Sequence, residues 1–192
     1  MTIRSPDFLD GPRNDEEGRN QYASDELAPL VPLTKPFFSW DSSTQLYQGI
    51  YYTYCIGCER NPDQAFLCFQ RAICTVLSDA PKDSWIRFSV AQYAFARCFE
   101  KGFGIVQDQE QAARWYAKVF QSCQEVMRQQ DCSKENSDAL FLMGLCYEFG
   151  RGVEKSADQA LELYDQIVKK TQSVNLRAAA EKRAAQLHVS KI

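Results

Sequence analysis

Eight cysteines in 192 residues are the groups in this chain best equipped for chemistry. Four of them, Cys55, Cys58, Cys68 and Cys74, follow the spacing C-x2-C-x9-C-x5-C. Four thiolates at such intervals can in principle close a tetrahedral zinc site, and the two-residue gap between Cys55 and Cys58 also suits a dithiol that cycles through a disulfide. A thioredoxin-like dithiol, however, sits at a strand-to-helix junction in an α/β fold, and few strand signals occur here. His188 is the sole histidine and falls in the fraying end of the last expected helix, so a cysteine nucleophile lacks the imidazole that usually activates it. The acidic clusters Asp15-Glu16-Glu17 and Asp25-Glu26 lie in a polar N-terminal stretch, where a solvated charge run is the plain reading. These residue types point to a non-enzymatic protein without a cofactor or metal. A redox or zinc-binding assembly factor built on Cys55 and Cys58 is the alternative.

The elements that must carry these side chains are helices in a duplicated pattern. Residues 91–119 read AQYAFARCFEKGFGIVQDQEQAARWYAKV, and residues 139–167 read ALFLMGLCYEFGRGVEKSADQALELYDQI. A shift of 48 positions (139 minus 91) lays Ala96 on Gly144, Cys98 on Cys146, Phe99 on Tyr147, Gly102 on Gly150, Gly104 on Gly152, Ala112 on Ala160 and Tyr116 on Tyr164. An eroded copy precedes them: at an offset of 47 (96 minus 49), Gly49, Tyr52, Gly57, Ala65 and Phe69 fall opposite Ala96, Phe99, Gly104, Ala112 and Tyr116. Self-similarity at a fixed period marks units too small to bury their own apolar faces, which must stack on one another.

Periodicity gives the same result locally. Trp85, Phe88, Phe95, Ala96 and Phe99 share a helical stripe, as do Met143, Tyr147, Leu161, Tyr164 and Val168. Each Gly-x-Gly falls where the chain leaves one helix and reverses, and the small residues at 96, 144, 112 and 160 let paired helices approach closely. In this register Cys68 falls opposite Trp115 and reads as a packing residue, and Cys98 and Cys146 read likewise.

The order small-x-x-Tyr/Phe-x-x-Gly-x-Gly-Val/Ile, then Ala-x-x-Trp/Leu-Tyr, resembles the Sel1-like repeat, a relative of the tetratricopeptide repeat. The resemblance covers roughly residues 45–170 and implies an all-α fold, an α/α solenoid of about three helix pairs closed by a C-terminal capping helix. Gly102, Gly104, Ala112, Tyr116, Gly144, Gly150, Gly152, Ala160 and Tyr164 are then the structural repeat positions. It further implies a protein–protein interaction adaptor or scaffold that binds a peptide or protein on the concave face lined by the first helices. On that face the expected contact residues are Tyr93, Arg97 and Glu100 of one repeat and Phe141, Leu145 and Glu148 of the next. The alternative for Tyr93 and Phe141 is packing against the next repeat or beneath the N-terminal arm. Phe103 and Phe149 are expected to pack between repeats. Exported cysteine-rich relatives use helix-to-helix disulfides, and Cys123 with Cys132 are the pair such a bridge implies.

Organisation follows from punctuation. Residues 1–36 hold five of the seven prolines and a charged run over 13–19, so residues 1–42 are expected to form a flexible Pro-rich arm. Its one apolar cluster, Leu27, Leu30, Val31 and Leu33, is a candidate to dock on the groove or a partner. Residues 43–192 form the repeat domain: an eroded repeat at 45–78, repeats at 83–121 and 138–171, and a capping helix at 174–188. Helices are predicted over 44–55, 62–77, 83–101, 108–130, 136–149, 156–172 and 174–188, with Asn61, Asp79, and Ser156 or Asp158 as start signals. The stretch 122–137 lengthens one helix or forms an insertion.

A net charge of −3 without a basic block excludes the positive stripe that nucleic acid requires. No stretch reaches the roughly 20 apolar residues that span a bilayer. No apolar run follows Met1, so the expected location is cytoplasmic, with signal-less export as the alternative. Three short units bury little surface, which leaves a partner or self-association as a source of stability.

Overall fold

A computed structural model describes residues 25–30, 42–56, 58–79, 85–128 and 133–189. Most of the expected arm, residues 1–24 and 31–41, and Cys132 of the expected disulfide lie outside the described residues. Seven helices follow one another, with no strand among the described residues: α1 (Ser42–Tyr54), α2 (Pro62–Asp79), α3 (Trp85–Lys101), α4 (Gln109–Arg128), α5 (Ser133–Phe149), α6 (Ala157–Lys170) and α7 (Val174–Val189). They agree with the predicted spans to within about three residues at each end. Within the stretch 122–137, residues up to Arg128 end α4 and residues from Ser133 begin α5.

Helices pair as α1/α2, α3/α4 and α5/α6, each pair stacks on the next, and α7 covers α6. First helices also meet across repeats, α1 with α3 and α3 with α5, while second helices do so less. The first helices therefore line the inner side of the curve, as in other helix-pair solenoids.

The three copies share one turn. The residue that opens the second helix donates its backbone N–H back to the first: Asn61 to Tyr52 O at 3.1 Å, Asp108 to Phe99 O at 3.0 Å, and Ser156 to Tyr147 O at 3.0 Å. The same three side chains cap the helix they open, accepting from the backbone N–H groups of Gln64, Gln111 and Gln159. Equivalent bonds in the eroded copy make it a true repeat unit. Gly152, at φ +73°, does more than turn the chain. A Cβ there would lie 2.3 Å from the Ala117 backbone nitrogen, so glycine alone allows repeat three to seat on α4 of repeat two.

Small positions on the first helices receive rings from the second. A Cβ on Gly49 would strike the Phe69 ring at 2.4 Å, and one on Gly144 would strike Tyr164 at 2.6 Å. Between repeats, Phe66 stacks on Phe95 at 4.9 Å, and Phe120 meets Tyr147 edge-on at 5.3 Å.

Candidate functional site

The inner face differs from an open row of contact residues. Tyr93, Phe141 and Leu145 are fully buried, which corrects the expectation of exposed aromatics there. Tyr93 packs edge-on to Tyr116 at 5.2 Å, and Phe141 lies tilted on Tyr164 at 5.7 Å, so these rings join the two helices of each repeat. Helix α5 explains why: residues 139–147 are uniformly apolar, and a helix apolar all round has no face left for solvent.

Glu100 and Glu148 occupy equivalent positions and do equivalent work. Each accepts a hydrogen bond from the tyrosine of its own second helix, Tyr116 to Glu100 at 3.1 Å and Tyr164 to Glu148 at 2.7 Å. Each is then ion-paired by an arginine from the next unit. Arg151, between the two glycines of repeat three, donates Nε and Nη2 to Glu100 at 3.0 and 2.9 Å; Arg183 of α7 donates to Glu148 at 3.0 Å. Burial and the adjacent carboxylates push the hydroxyls of Tyr116 and Tyr164 far above the ordinary tyrosine value, so both stay protonated donors. Phe149, expected between repeats, is 44% exposed and carries the Arg151 and Arg183 guanidiniums at 4.6 and 5.4 Å from its ring centre. Phe103 is half-buried on the core, with Arg60 over its ring.

Across this face lies a piece of the N-terminal arm. Asp25 starts a turn by accepting from the Leu27 backbone N–H at 2.9 Å, and Leu30 N–H bonds back to Leu27 O at 3.0 Å. Asp25 Oδ1 accepts from Arg97 at 2.9 Å, and Asp25 Oδ2 accepts from the Tyr54 hydroxyl of α1. Glu26 accepts from Arg151 Nη1 at 2.9 and 3.0 Å and lies 3.3 Å from Arg97 Nε, within ion-pair range but without hydrogen-bond alignment. Arg151 Nη1 also donates to the Tyr93 hydroxyl. Leu27 enters the core at 3% exposure. The solvated reading of Asp25-Glu26 is therefore corrected. Both carboxylates are buried because Arg97 and Arg151 neutralise them, and Arg97 of the expected contact set faces its own chain.

Burial pushes the Asp25 carboxyl up, but the Arg97 charge and hydrogen bonds from Arg97, Tyr54 and the Leu27 backbone outweigh it and hold it below the ordinary value. Arg97 is its counterpart: desolvation works against its charge, and Asp25 and Glu26 more than restore it. Beside the segment a cleft of about 310 Å³ remains, bordered by Leu27, Ile50, Arg60, Phe69, Lys101 and Phe103.

The cysteines divide by burial. Cys98 and Cys146 sit in the core, where desolvation raises their thiols to about 12, and Cys68 is raised to about 11; none is poised as a thiolate at neutral pH. Cys123 is a free core thiol, pushed up by burial as well. Among the described residues no three His, Cys, Asp or Glu side chains are grouped to hold a metal, so the four-thiolate spacing does not assemble. Cys55 has φ +57° and occupies the repeat position of Gly102 (φ +67°) and Gly150 (φ +69°). Cys55 thus stands, at the end of α1, in the place that the first glycine of the turn holds in the other two repeats. Sequence reasoning missed Arg151 and the Asp25-Glu26 pair. The available signals were an arginine where repeat two has Phe103, and a turn-forming Asp ahead of the arm's one leucine cluster.

The family model described as Sel1 repeat matches residues 47–74, 89–118 and 137–169. No curated protein matches the chain. Among solved structures, a Sel1 repeat protein from Oxalobacter formigenes is similar at 21% identity and a TM-score of 0.49, over 93% of this chain and 62% of that one. A protective antigen present in uropathogenic Escherichia coli strains and displaying an SLR fold is similar at 16% identity and a TM-score of 0.18, over 92% and 56%. The chain spans less than two thirds of either protein's length. No helix among the described residues is long and apolar enough to cross a membrane.

Proposed function

Because the chain belongs to the Sel1 repeat family, whose members generally scaffold protein–protein interactions and are typically non-catalytic, we propose that it is a non-enzymatic adaptor that holds a peptide or protein segment along its first helices. Residues 43–192 are the binding unit in this reading and residues 1–42 its arm. The observation that carries it is the seating of residues 25–30 across α1, α3 and the turn before α6. The inner face already accommodates an irregular peptide segment through paired charges and one buried leucine. Arg97 and Arg151 supply the polar contacts, Glu100 and Glu148 act behind them by holding Arg151 and Arg183, and Tyr93, Phe141 and Leu145 form the rigid floor.

Affinity capture from the native cell extract tests this with three forms of the full chain: intact, Arg97→Glu with Arg151→Glu, and Arg114→Ala on the exposed side of α4. A protein retained by the intact and Arg114 forms and lost from the charge-reversed one is the expected result. Equal retention by all three forms sinks the inner-face reading.

A further inference from the structure

Resting on the inner-face reading, we infer that the groove recognises one kind of peptide, two adjacent carboxylates followed directly by a large apolar residue, and that Asp25-Glu26-Leu27 is its internal copy. Arg97 and Arg151 have only 16% and 12% of their side chains exposed beneath the segment, so any occupant that covers them as closely must offer each guanidinium an acceptor. Arg151 keeps Glu100 in that event, and its Nη1 is left with the Tyr93 hydroxyl alone. Arg97 loses both of its carboxylates and is left with the Tyr54 hydroxyl. A neutral or basic peptide entering the groove leaves Arg97 without a carboxylate and Arg151 without its bonds to Glu26, whereas one that returns two carboxylates at the same spacing restores them.

The third feature is the apolar one. A cleft of about 310 Å³ lies directly beside Leu27, with Ile50, Phe69 and Phe103 on its border. An outside peptide with a bulkier side chain at that place buries more surface than the internal segment does, which gives it a means to compete against a tethered occupant. Tethering otherwise favours the internal copy, since a covalently linked segment acts at an effective concentration in the millimolar range. The internal segment thereby sets a threshold, and only ligands of its own chemistry cross it.

The test titrates two fluorescein-labelled synthetic peptides, one with the sequence of residues 22–31 and one with Asn-Gln in place of Asp25-Glu26, into full-length chains. Intact chain, Asp25→Asn with Glu26→Gln, and Leu27→Asp are compared, with thermal melts confirming that each is folded. Vacating the groove should raise affinity for the acidic peptide by about tenfold or more in both variants, as loss of a tethered competitor predicts. The neutral peptide should bind none of them. No gain in either folded variant, or equal binding of the two peptides, overturns the proposal. A dimer of the intact chain that the acidic peptide dissolves also overturns it, because the segment's partner is then a second copy. Running the extract capture on the same variants separates the two readings. A protein held through Arg97 and Arg151 without any gain in peptide binding leaves the adaptor standing and removes the acidic-leucine specificity.

Discussion

Replacing Arg151 by methionine isolates the contact that joins repeat two, repeat three and the arm. The side chain donates two hydrogen bonds to Glu100 and bonds at 2.9 and 3.0 Å to the two oxygens of Glu26, whose own exposure is 9%. Removing one member of a fully buried ion pair costs about 3–5 kcal/mol, since the remaining charge is left unpaired. Two facts reduce that figure here: Glu100 keeps the Tyr116 hydroxyl and is 25% exposed, and Glu26 keeps Arg97 nearby. The expected loss is therefore about 2–3 kcal/mol, or roughly 4–12 °C in Tm for a chain of this size. Urea denaturation followed by circular dichroism measures it, once at low salt and once in about 0.5 M NaCl. A buried pair is screened little, so the loss should persist. The control is Arg114→Met, which breaks a pair with Glu110 exposed at 63% and 76% and should cost under about 0.5 kcal/mol. Arg151→Lys should recover little, because an ammonium cannot serve two carboxylates from one planar fork. Equal losses at Arg151 and Arg114 would refute the clamp.

Two further perturbations test the arm and the cysteine turn. Asp25 has a lowered pKa, so its contribution to docking is complete above the ordinary carboxylate value near 3.8 and fades as pH falls towards its own lower one. Leu27 methyl signals in NMR spectra should thus hold their positions from about pH 8 down to about pH 4 and move towards random-coil values only as the pH falls further, while those of Leu142 and Leu145 stay put; a Leu27 that leaves its position well above pH 4, or never moves in strong acid, excludes charge-held docking. Cys55→Gly should stabilise the chain by about 0.5–1 kcal/mol, since glycine relieves the left-handed backbone penalty and gives part of it back in unfolded-state entropy. A destabilised Cys55→Gly protein would show that the cysteine side chain matters more than its backbone.

Much of the fold was legible because the repeat fixes residues by type. Gly102, Gly150 and Gly152 stand where φ is positive, Gly144 stands where a ring presses, and Asn61, Asp108 and Ser156 stand where a helix begins. The candidate site was read less well, for a physical reason. A slot on the first helix was assigned to the inner face by analogy between repeats, yet burial depends on what covers that face. The unbroken apolar run at 139–147 already signalled a helix without a free side. The docking of Asp25 and Glu26 depends on two arginines about 70 and 125 residues away, and no local pattern records a pairing at that distance. The cysteine spacing left an alternative open for the opposite reason: Cys55 lies on the turn of the most eroded copy, where a backbone role is hidden by a reactive side chain.

The arm also supplies what the first repeat has lost. In repeats two and three a glutamate on the first helix accepts from a tyrosine on the second and from an arginine of the following unit. The corresponding residues of the first repeat are Thr53 and Phe69. Thr53 turns its hydroxyl onto its own helix at Gly49 O, and Phe69 has no hydroxyl to give. The polar coupling between repeats one and two is instead made by Asp25, which joins Tyr54 of α1 to Arg97 of α3. Repeat stability in a solenoid is a sum of nearest-neighbour terms, so a vacated groove weakens the junction that the first repeat depends on. A ligand with the same two carboxylates rebuilds that junction while it binds. Order in the first repeat and occupancy of the groove are consequently linked by mass action, whether the occupant arrives on the same chain or on another.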